Sequence, residues 1–270
     1  MTDPGAHKLN LDAYLSRIAH GGSCATTIET LRQLHLAHVT SIPFENVNVQ
    51  LGLPVRLDLL SLENKIVGER RGGYCFEQNG LFSAVLEQLG FEVTRLAARV
   101  RFGSSSIMAR THMLLLVQCD GTLWIADVGF GGWSLLEPIP LVAERDVQQG
   151  SWTMRLRRGD GSWVLQCVQC PAGPDLYAFT LEPQYPIDYE PANHYCATHP
   201  NSRFVQTFTV QLPGLDVRAI VRGRELSLAH ADATHTTGLS NEELFAELDT
   251  RFGLPLSPGL CRELSEKLPV

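Results

Sequence analysis

The chain opens with apolar residues at helical spacing. Leu11, Tyr14, Leu15 and Ile18 fall at i, i+3, i+4 and i+7, which predicts an amphipathic first helix capped by Asn10 and ended by Gly21-Gly22. Thr26 and Glu29 form a capping box for a second helix carrying Leu31 and Leu34. Pro43 breaks the helical pattern and starts an irregular segment, Pro43-Phe44-Glu45-Asn46, running to about Pro54; Leu62, Ile66 and Val67 mark a short third helix. After Gly72-Gly73 the apolar set Leu81, Phe82, Val85, Leu86 and Leu89 predicts a buried helix stopped by Gly90, with Cys75 in its first turn.

From Phe91 the period changes to that of strands. Phe91 to Phe102, Thr111 to Gln118 and Thr122 to Val128 are rich in β-formers, and Asp120-Gly121 is a two-residue hairpin signal. Trp152 to Arg157 and Trp163 to Val168 predict a second hairpin around Gly159-Asp160-Gly161, and further strands are expected at Phe204 to Leu212, Asp216 to Val221 and Glu225 to Ala229. Ser240 and Glu243 cap a last helix through Leu244, Phe245, Leu248 and Phe252, stopped by Gly253. The order is a helical block, a β block and a mixed block.

Composition narrows the function classes. The 270 residues are 44% hydrophobic and 19% charged, an ordinary globular balance, and a formal charge of −7 argues against nucleic acid or an anionic membrane as the main partner. Only Lys8, Lys65 and Lys267 of the 22 basic residues are lysines, which we read as coding background. Seven cysteines show no disulfide spacing, and Cys167-Val168-Gln169-Cys170 sits in a strand-like run without a second pair, so two neighbouring strand cysteines are expected rather than a metal site. The polar segment Met1 to Leu9 lacks an apolar core and no run reaches membrane-spanning length, so a reducing cytoplasm is the expected location.

The chemistry centres on Arg70-Arg71-Gly72-Gly73-Tyr74-Cys75-Phe76-Glu77-Gln78-Asn79. A thiol at a helix start is expected to ionise more readily, because the free N–H groups and the helix dipole favour an anion. The Asp120-Gly121 turn supplies a partner. With Cys119 paired to Thr122, His112 lies opposite Gly129 and Asp127 is its diagonal neighbour on the same face, within reach of a hydrogen bond. Cys75, His112 and Asp127 are the parts of an activated thiol nucleophile. His7, His20, His35, His38, His230 and His235 carry no comparable signal and read as solvated or capping residues.

The chain resembles the arylamine N-acetyltransferases in Pro43-Phe44-Glu45-Asn46, Arg71-Gly72-Gly73-Tyr74-Cys75-Phe76-Glu77, Thr111-His112-Met113, Asp127-Val128-Gly129-Phe130-Gly131 and His194-Tyr195 through Ser202-Arg203-Phe204. The resemblance runs from Leu11 to about Phe252. It implies an α+β fold with an N-terminal helical bundle (1–90), a central antiparallel β-barrel (91–200) and a C-terminal α/β lid (201–270). It also implies a cysteine-protease-like core in which Cys75, His112 and Asp127 are catalytic. The implied activity is acetyl transfer from acetyl-CoA to arylamines, arylhydroxylamines or arylhydrazines, without a metal, by a monomer or homodimer.

Phe44 and Phe130 are candidate walls of an apolar amine pocket, and Glu45 and Arg71 are expected to pair and hold the nucleophile loop. Gly129-Phe130-Gly131-Gly132 resembles a glycine-rich phosphate loop, which makes Gly129 and Gly131 candidate CoA contacts. Thr111, Ser202 and Phe204 are CoA contacts implied by the resemblance. Two other readings fit the same residues: a papain- or transglutaminase-like enzyme acting on peptide amides, and a β-rich binding module in which the three residues are only structural.

Overall fold

The computed structural model describes residues 7–104, 106–159, 161–170 and 173–268. Asp160, at the centre of the second expected hairpin turn, and residues 1–6 of the polar N-terminal segment lie outside them.

The first part is helical: α1 (Leu11–Arg17), α2 (Ile28–Ser41), a two-residue strand β1 (Phe44–Glu45), α3 (Val47–Leu51), α4 (Leu59–Glu63) prolonged by a π turn at Asn64–Gly68, and α5 (Cys75–Gln88). Asn10 caps α1 as expected, accepting from the Ala13 amide at 3.1 Å. The helix ends earlier than Gly21, because Ala19 itself takes the left-handed conformation with φ 52°. The second cap is Thr27, not Thr26: the Thr26 hydroxyl donates to the Leu89 carbonyl at 3.0 Å and is committed elsewhere. The segment expected to be irregular contains β1 and α3.

Then follow β2 (Glu92–Val100), β3 (Arg110–Cys119), β4 (Thr122–Ala126), β5 (Ile139–Pro140), β6 (Asp146–Gln149), β7 (Trp152–Gly159), β8 (Ser162–Cys167) and β9 (Asp175–Phe179). They form an eight-stranded antiparallel sheet in the order β5-β4-β3-β2-β9-β8-β7-β6. It is barrel-like and nearly closed, since the short link from β5 to β6 bridges back to β7 through Ala143 and Leu156. The Asp120-Gly121 turn has both residues at positive φ, 49° and 70°, and Cys119 pairs with Thr122 as the turn chemistry requires. Cys170 falls in the turn after β8 rather than in a strand, its amide donating to the Cys167 carbonyl at 3.2 Å.

The last part holds α6 (Pro186–Thr198), α7 (Arg203–Gln206), β10 (Thr209–Leu212), β11 (Arg218–Arg222), β12 (Glu225–Ala229), β13 (Thr234–Gly238), α8 (Asn241–Thr250) and α9 (Pro258–Lys267). Phe204 therefore lies in a helical turn capped by Ser202, not in a strand. The second sheet runs β1-β10-β11-β12-β13, all antiparallel, so a piece of the N-terminal segment forms its edge. Among the described residues no helix is long and apolar enough to cross a membrane.

Three apolar cores result. One joins the N-terminal helices to β3 and α6 through α5, whose Leu81, Phe82, Val85 and Leu86 are wholly buried. Each such side chain contributes about 1.5–3 kcal/mol, which fixes the start of α5 against the barrel wall. A second fills the barrel, and a third lies between the five-stranded sheet and α8 and α9.

Candidate active site

Cys75 is the first residue of α5, with Tyr74 as its N-cap; the Glu77 carboxylate accepts from the Tyr74 amide at 3.0 Å. The two preceding glycines are needed for space rather than for positive φ. A Cβ on Gly72 would stand 1.9 Å from the Pro43 carbonyl oxygen, and one on Gly73 would meet the Glu77 side chain at 2.7 Å. The Gln78 amide ties this loop down by donating to the Pro43 and Gly73 carbonyls at 3.1 and 2.9 Å. Its oxygen meets His38 Nε2 at 3.1 Å, and His38 Nδ1 meets the Tyr14 hydroxyl at 2.8 Å. His38 is therefore not a solvated residue: it is wholly buried, and burial lowers its pKa to about 3.

Asp127 follows directly on β4. The sum of paired positions in the β3–β4 ladder places it diagonal to His112, and His112 Nε2 meets Asp127 Oδ2 at 2.7 Å. The other carboxylate oxygen accepts from Asn79 Nδ2 and the Gly129 amide, both at 2.9 Å. The Asp127 amide donates to His35 Nε2 at 3.1 Å while His35 Nδ1 bonds the Leu136 carbonyl at 3.0 Å. His35, like His38, is thus a buried structural histidine, and burial lowers its pKa to about 4. Neither Asn79 nor His35 was legible as a support for Asp127, since each reaches it from a distant helix.

The electrostatics depart from the expectation at one point. Burial pushes the Cys75 thiol up, and the hydrogen bond and charge of His112 pull it down without reversing the balance. The thiol lies 3.6 Å from the Thr111 carbonyl oxygen. The helix start alone does not make it acidic. His112 goes the other way: burial would lower it, but the Asp127 carboxylate raises it to about 10. Asp127 is held below the usual carboxylate range, its burial outweighed by His112 and by the Asn79 and Gly129 donors. A proton passed from sulfur to imidazole leaves the net charge of the site unchanged, so the pair escapes the penalty that a lone buried thiolate would meet.

Cys75 and His112 open onto a cleft of about 580 Å³. Phe44, Phe130, Thr111, Gly129, Ser202 and Phe204 also line it; Gly131 does not. The amides of the glycine-rich stretch are mostly committed within the protein. Gly129 donates to Asp127, Phe130 to the Ser134 hydroxyl at 2.8 Å and Gly132 to Gln211 Oε1 at 2.8 Å, so three of its four amides are already engaged. A Cβ on Gly129 would stand 2.7 Å from Cys75 Cα, so this glycine lets the loop pack on the start of α5. Arg218, wholly buried, anchors the same loop through the Gly132 and Ser134 carbonyls at 2.5 and 3.1 Å.

The expected Glu45–Arg71 pair is present at 2.8 Å, within a larger buried group that the sequence did not reveal. Lys65 Nζ lies 2.6 Å from Glu77 and 3.5 Å from Glu45. Among the described residues no group of three or more His, Cys, Asp or Glu is placed to hold a metal ion.

Residues 27–260 match the family model described as N-acetyltransferase. The arylamine N-acetyltransferase of Mycolicibacterium smegmatis is 39% identical over 96% of this chain and 97% of its own. The solved structure of the arylamine N-acetyltransferase from Mycobacterium abscessus superposes with a TM-score of 0.91 at 37% identity, covering 98% of this chain and 99% of that one. That of Mycobacterium marinum arylamine N-acetyltransferase in complex with CoA gives 0.89 at 31% identity, over 96% and 100%. The fold and the matches define an acyltransferase. The chain belongs to the arylamine N-acetyltransferase family.

Proposed function

We propose that this enzyme moves an acetyl group from acetyl-CoA to the nitrogen of an arylamine, arylhydroxylamine or arylhydrazine in two half-reactions through S-acetyl-Cys75. The observation that carries the reading is the placement of Cys75 on the cleft beside His112, whose other nitrogen is held by Asp127 at 2.7 Å. The M. marinum relative was solved with CoA, which supports CoA as the carrier.

In the first half-reaction His112 holds the proton of the Cys75–His112 pair, the sulfur attacks the thioester carbonyl, and CoA leaves as the thiol after receiving that proton. The Cys75 amide at the start of α5 is suited to stabilise the tetrahedral oxyanion. In the second, the amine nitrogen attacks S-acetyl-Cys75, the Cys75 sulfur leaves, and His112 accepts the amine proton. Asp127 fixes the imidazole and stabilises its cationic form. Phe44 and Phe130 supply the apolar surface for the aromatic ring, while Thr111, Ser202 and Phe204 face the donor. Seven cysteines whose spacing gives no disulfide framework suit a reducing cytoplasm.

The test is intact-protein mass spectrometry after mixing with acetyl-CoA, followed by peptide mapping. One acetyl group on Cys75, discharged by an added arylamine, is the expected result. No adduct, or an adduct on Cys24, Cys196 or Cys261, overturns it.

A further inference from the structure

The cleft that holds Cys75 has a charge opposite to that of the chain. The protein carries −7, yet among the described residues no aspartate or glutamate lines the cleft, and the charged side chains besides His112 are Arg203 and Arg222. Both guanidinium groups line the same cleft, and no carboxylate partners either of them among the described residues. Two unpaired like charges on a solvated wall repel, and an anion between them removes that repulsion.

Their mounting is rigid. Arg203 opens α7 directly after Ser202, whose hydroxyl donates to the Cys196 carbonyl at 2.6 Å while accepting from the Phe204 amide at 3.3 Å. Arg222 ends β11 opposite Thr209 of β10, and Thr209 itself donates to the Val221 carbonyl at 2.7 Å. The Thr207 amide donates to the Arg203 carbonyl at 2.9 Å, so the turn that carries Arg203 leads directly into the strand that pairs with Arg222. The rest of this wall is neutral and polar: Asn201, Gln206, Thr207 and Gln211.

We propose that Arg203 and Arg222 form a phosphate clamp for the nucleotide end of the acetyl donor, which rests on the donor reading given above. A guanidinium presents its donors in a planar fork that matches phosphate oxygens, and two of them answer a group with more than one negative charge. The amides of Gly129, Phe130 and Gly132 are engaged within the protein, whereas both guanidinium groups line the cleft without a carboxylate partner among the described residues. The clamp acts on binding, not on the acetyl transfer at Cys75.

The experiment compares wild type with Arg203→Gln, Arg222→Gln and the double variant, each first shown to keep the wild-type melting temperature. kcat/KM is measured for acetyl-CoA, acetyl-dephospho-CoA and S-acetylpantetheine with one arylamine, and adenosine 3′,5′-bisphosphate binding is followed by calorimetry. The wild type should prefer acetyl-CoA to S-acetylpantetheine. In the double variant that preference should fall about 10- to 100-fold, the change lying in KM rather than kcat, since charged hydrogen bonds of about 1.5–3 kcal/mol are lost. Bisphosphate binding should weaken in parallel and lose its salt dependence. The dephospho donor locates the clamp: a loss with it assigns the ribose phosphate, retention assigns the pyrophosphate, and both uphold the proposal.

An unchanged preference together with unchanged bisphosphate binding overturns it. If wild type transfers acetyl from none of the donors, the donor reading fails on its own, and the bisphosphate titration still decides the clamp. Lysine at both positions, which keeps the charge without the fork, should recover part of the binding.

Discussion

Buried charge flanks Cys75 on two sides, and the two arrangements differ in kind. On the loop side Glu45 and Glu77 face Lys65 and Arg71, two anions against two cations. On the strand side Asp127 faces one imidazole, one side-chain amide and one backbone amide. The first set is balanced by fixed charges and holds the backbone between Pro43 and Tyr74. In the second, the group among the described residues that balances Asp127 by charge is His112, whose positive charge is a proton that can be passed on. That difference separates a fastening from a site able to hold and release a proton.

The largest test of the contrast is Cys75→Ala. Acetyl transfer should vanish while the melting temperature and circular dichroism stay near wild type, because the ion pairs of both groups remain and His112 gives up only its contact with the thiol. Measurable transfer in this variant would remove Cys75 from the reaction.

Next comes Asp127→Asn. Whichever way the introduced amide turns, its nitrogen must face either His112 or the donors from Asn79 and Gly129, so one side of the network is lost. Turnover should fall by on the order of 10²–10⁴. Near-normal rates would show that His112 is oriented by something else.

On the loop side, Glu45→Gln and Arg71→Met should each destabilise, by up to about 3–5 kcal/mol in chemical denaturation, Glu45→Gln leaving Arg71 without its carboxylate and Arg71→Met leaving Glu45 with Lys65 alone. The double variant should be no worse than the single ones, whereas strictly additive losses would break the pair. Glu45 also has a pH signature. Burial raises its pKa, but Lys65 and Arg71 bring it from 4.5 down to about 2. An acid with a depressed folded pKa stabilises above its unfolded value, so its contribution should be lost as pH falls from about 4.5 to 2. Glu77, raised by burial, works in the opposite sense and blunts the slope.

The smallest expected effect is at alkaline pH. His112 is raised from 6.5 to about 10, so the stability it adds is complete below about pH 6.5 and is lost as pH rises towards 10. His112→Gln should flatten the dependence of melting temperature on pH in that window. An unchanged slope would mean that the imidazole is not held as a cation.

What could be read from the chain divides along the same line. The position of Cys75 and the His112–Asp127 pairing follow from local signals: a glycine pair before an apolar helix, and a two-residue turn that fixes register for both strands. Glu45 and Arg71 could be matched because each borders an interruption of the pattern. Lys65, Asn79, His35 and His38 gave no such sign, since a buried polar residue on a helix looks like a surface one until its distant partner is known. Phe204 reads as a strand residue in sequence because four residues of helix are too few to show a period. Arg203 and Arg222 were passed over for the same reason as most exposed arginines: the cleft between them exists only in three dimensions.

The two-residue strand β1 has a consequence for the order in which the chain becomes competent during synthesis. Phe44 and Glu45 pair with Gln211 and Val210, and Phe44 also bridges to Gly73 beside the nucleophile. The loop that presents Cys75 is therefore clamped by residues that leave the ribosome long after it. A nascent chain arrested before Thr209 carries every residue of the Cys75, His112 and Asp127 group, yet its Phe44 edge has no strand to join. Such a chain holds these three residues before it has the frame that fixes the Cys75 loop, so the complete arrangement forms late in translation.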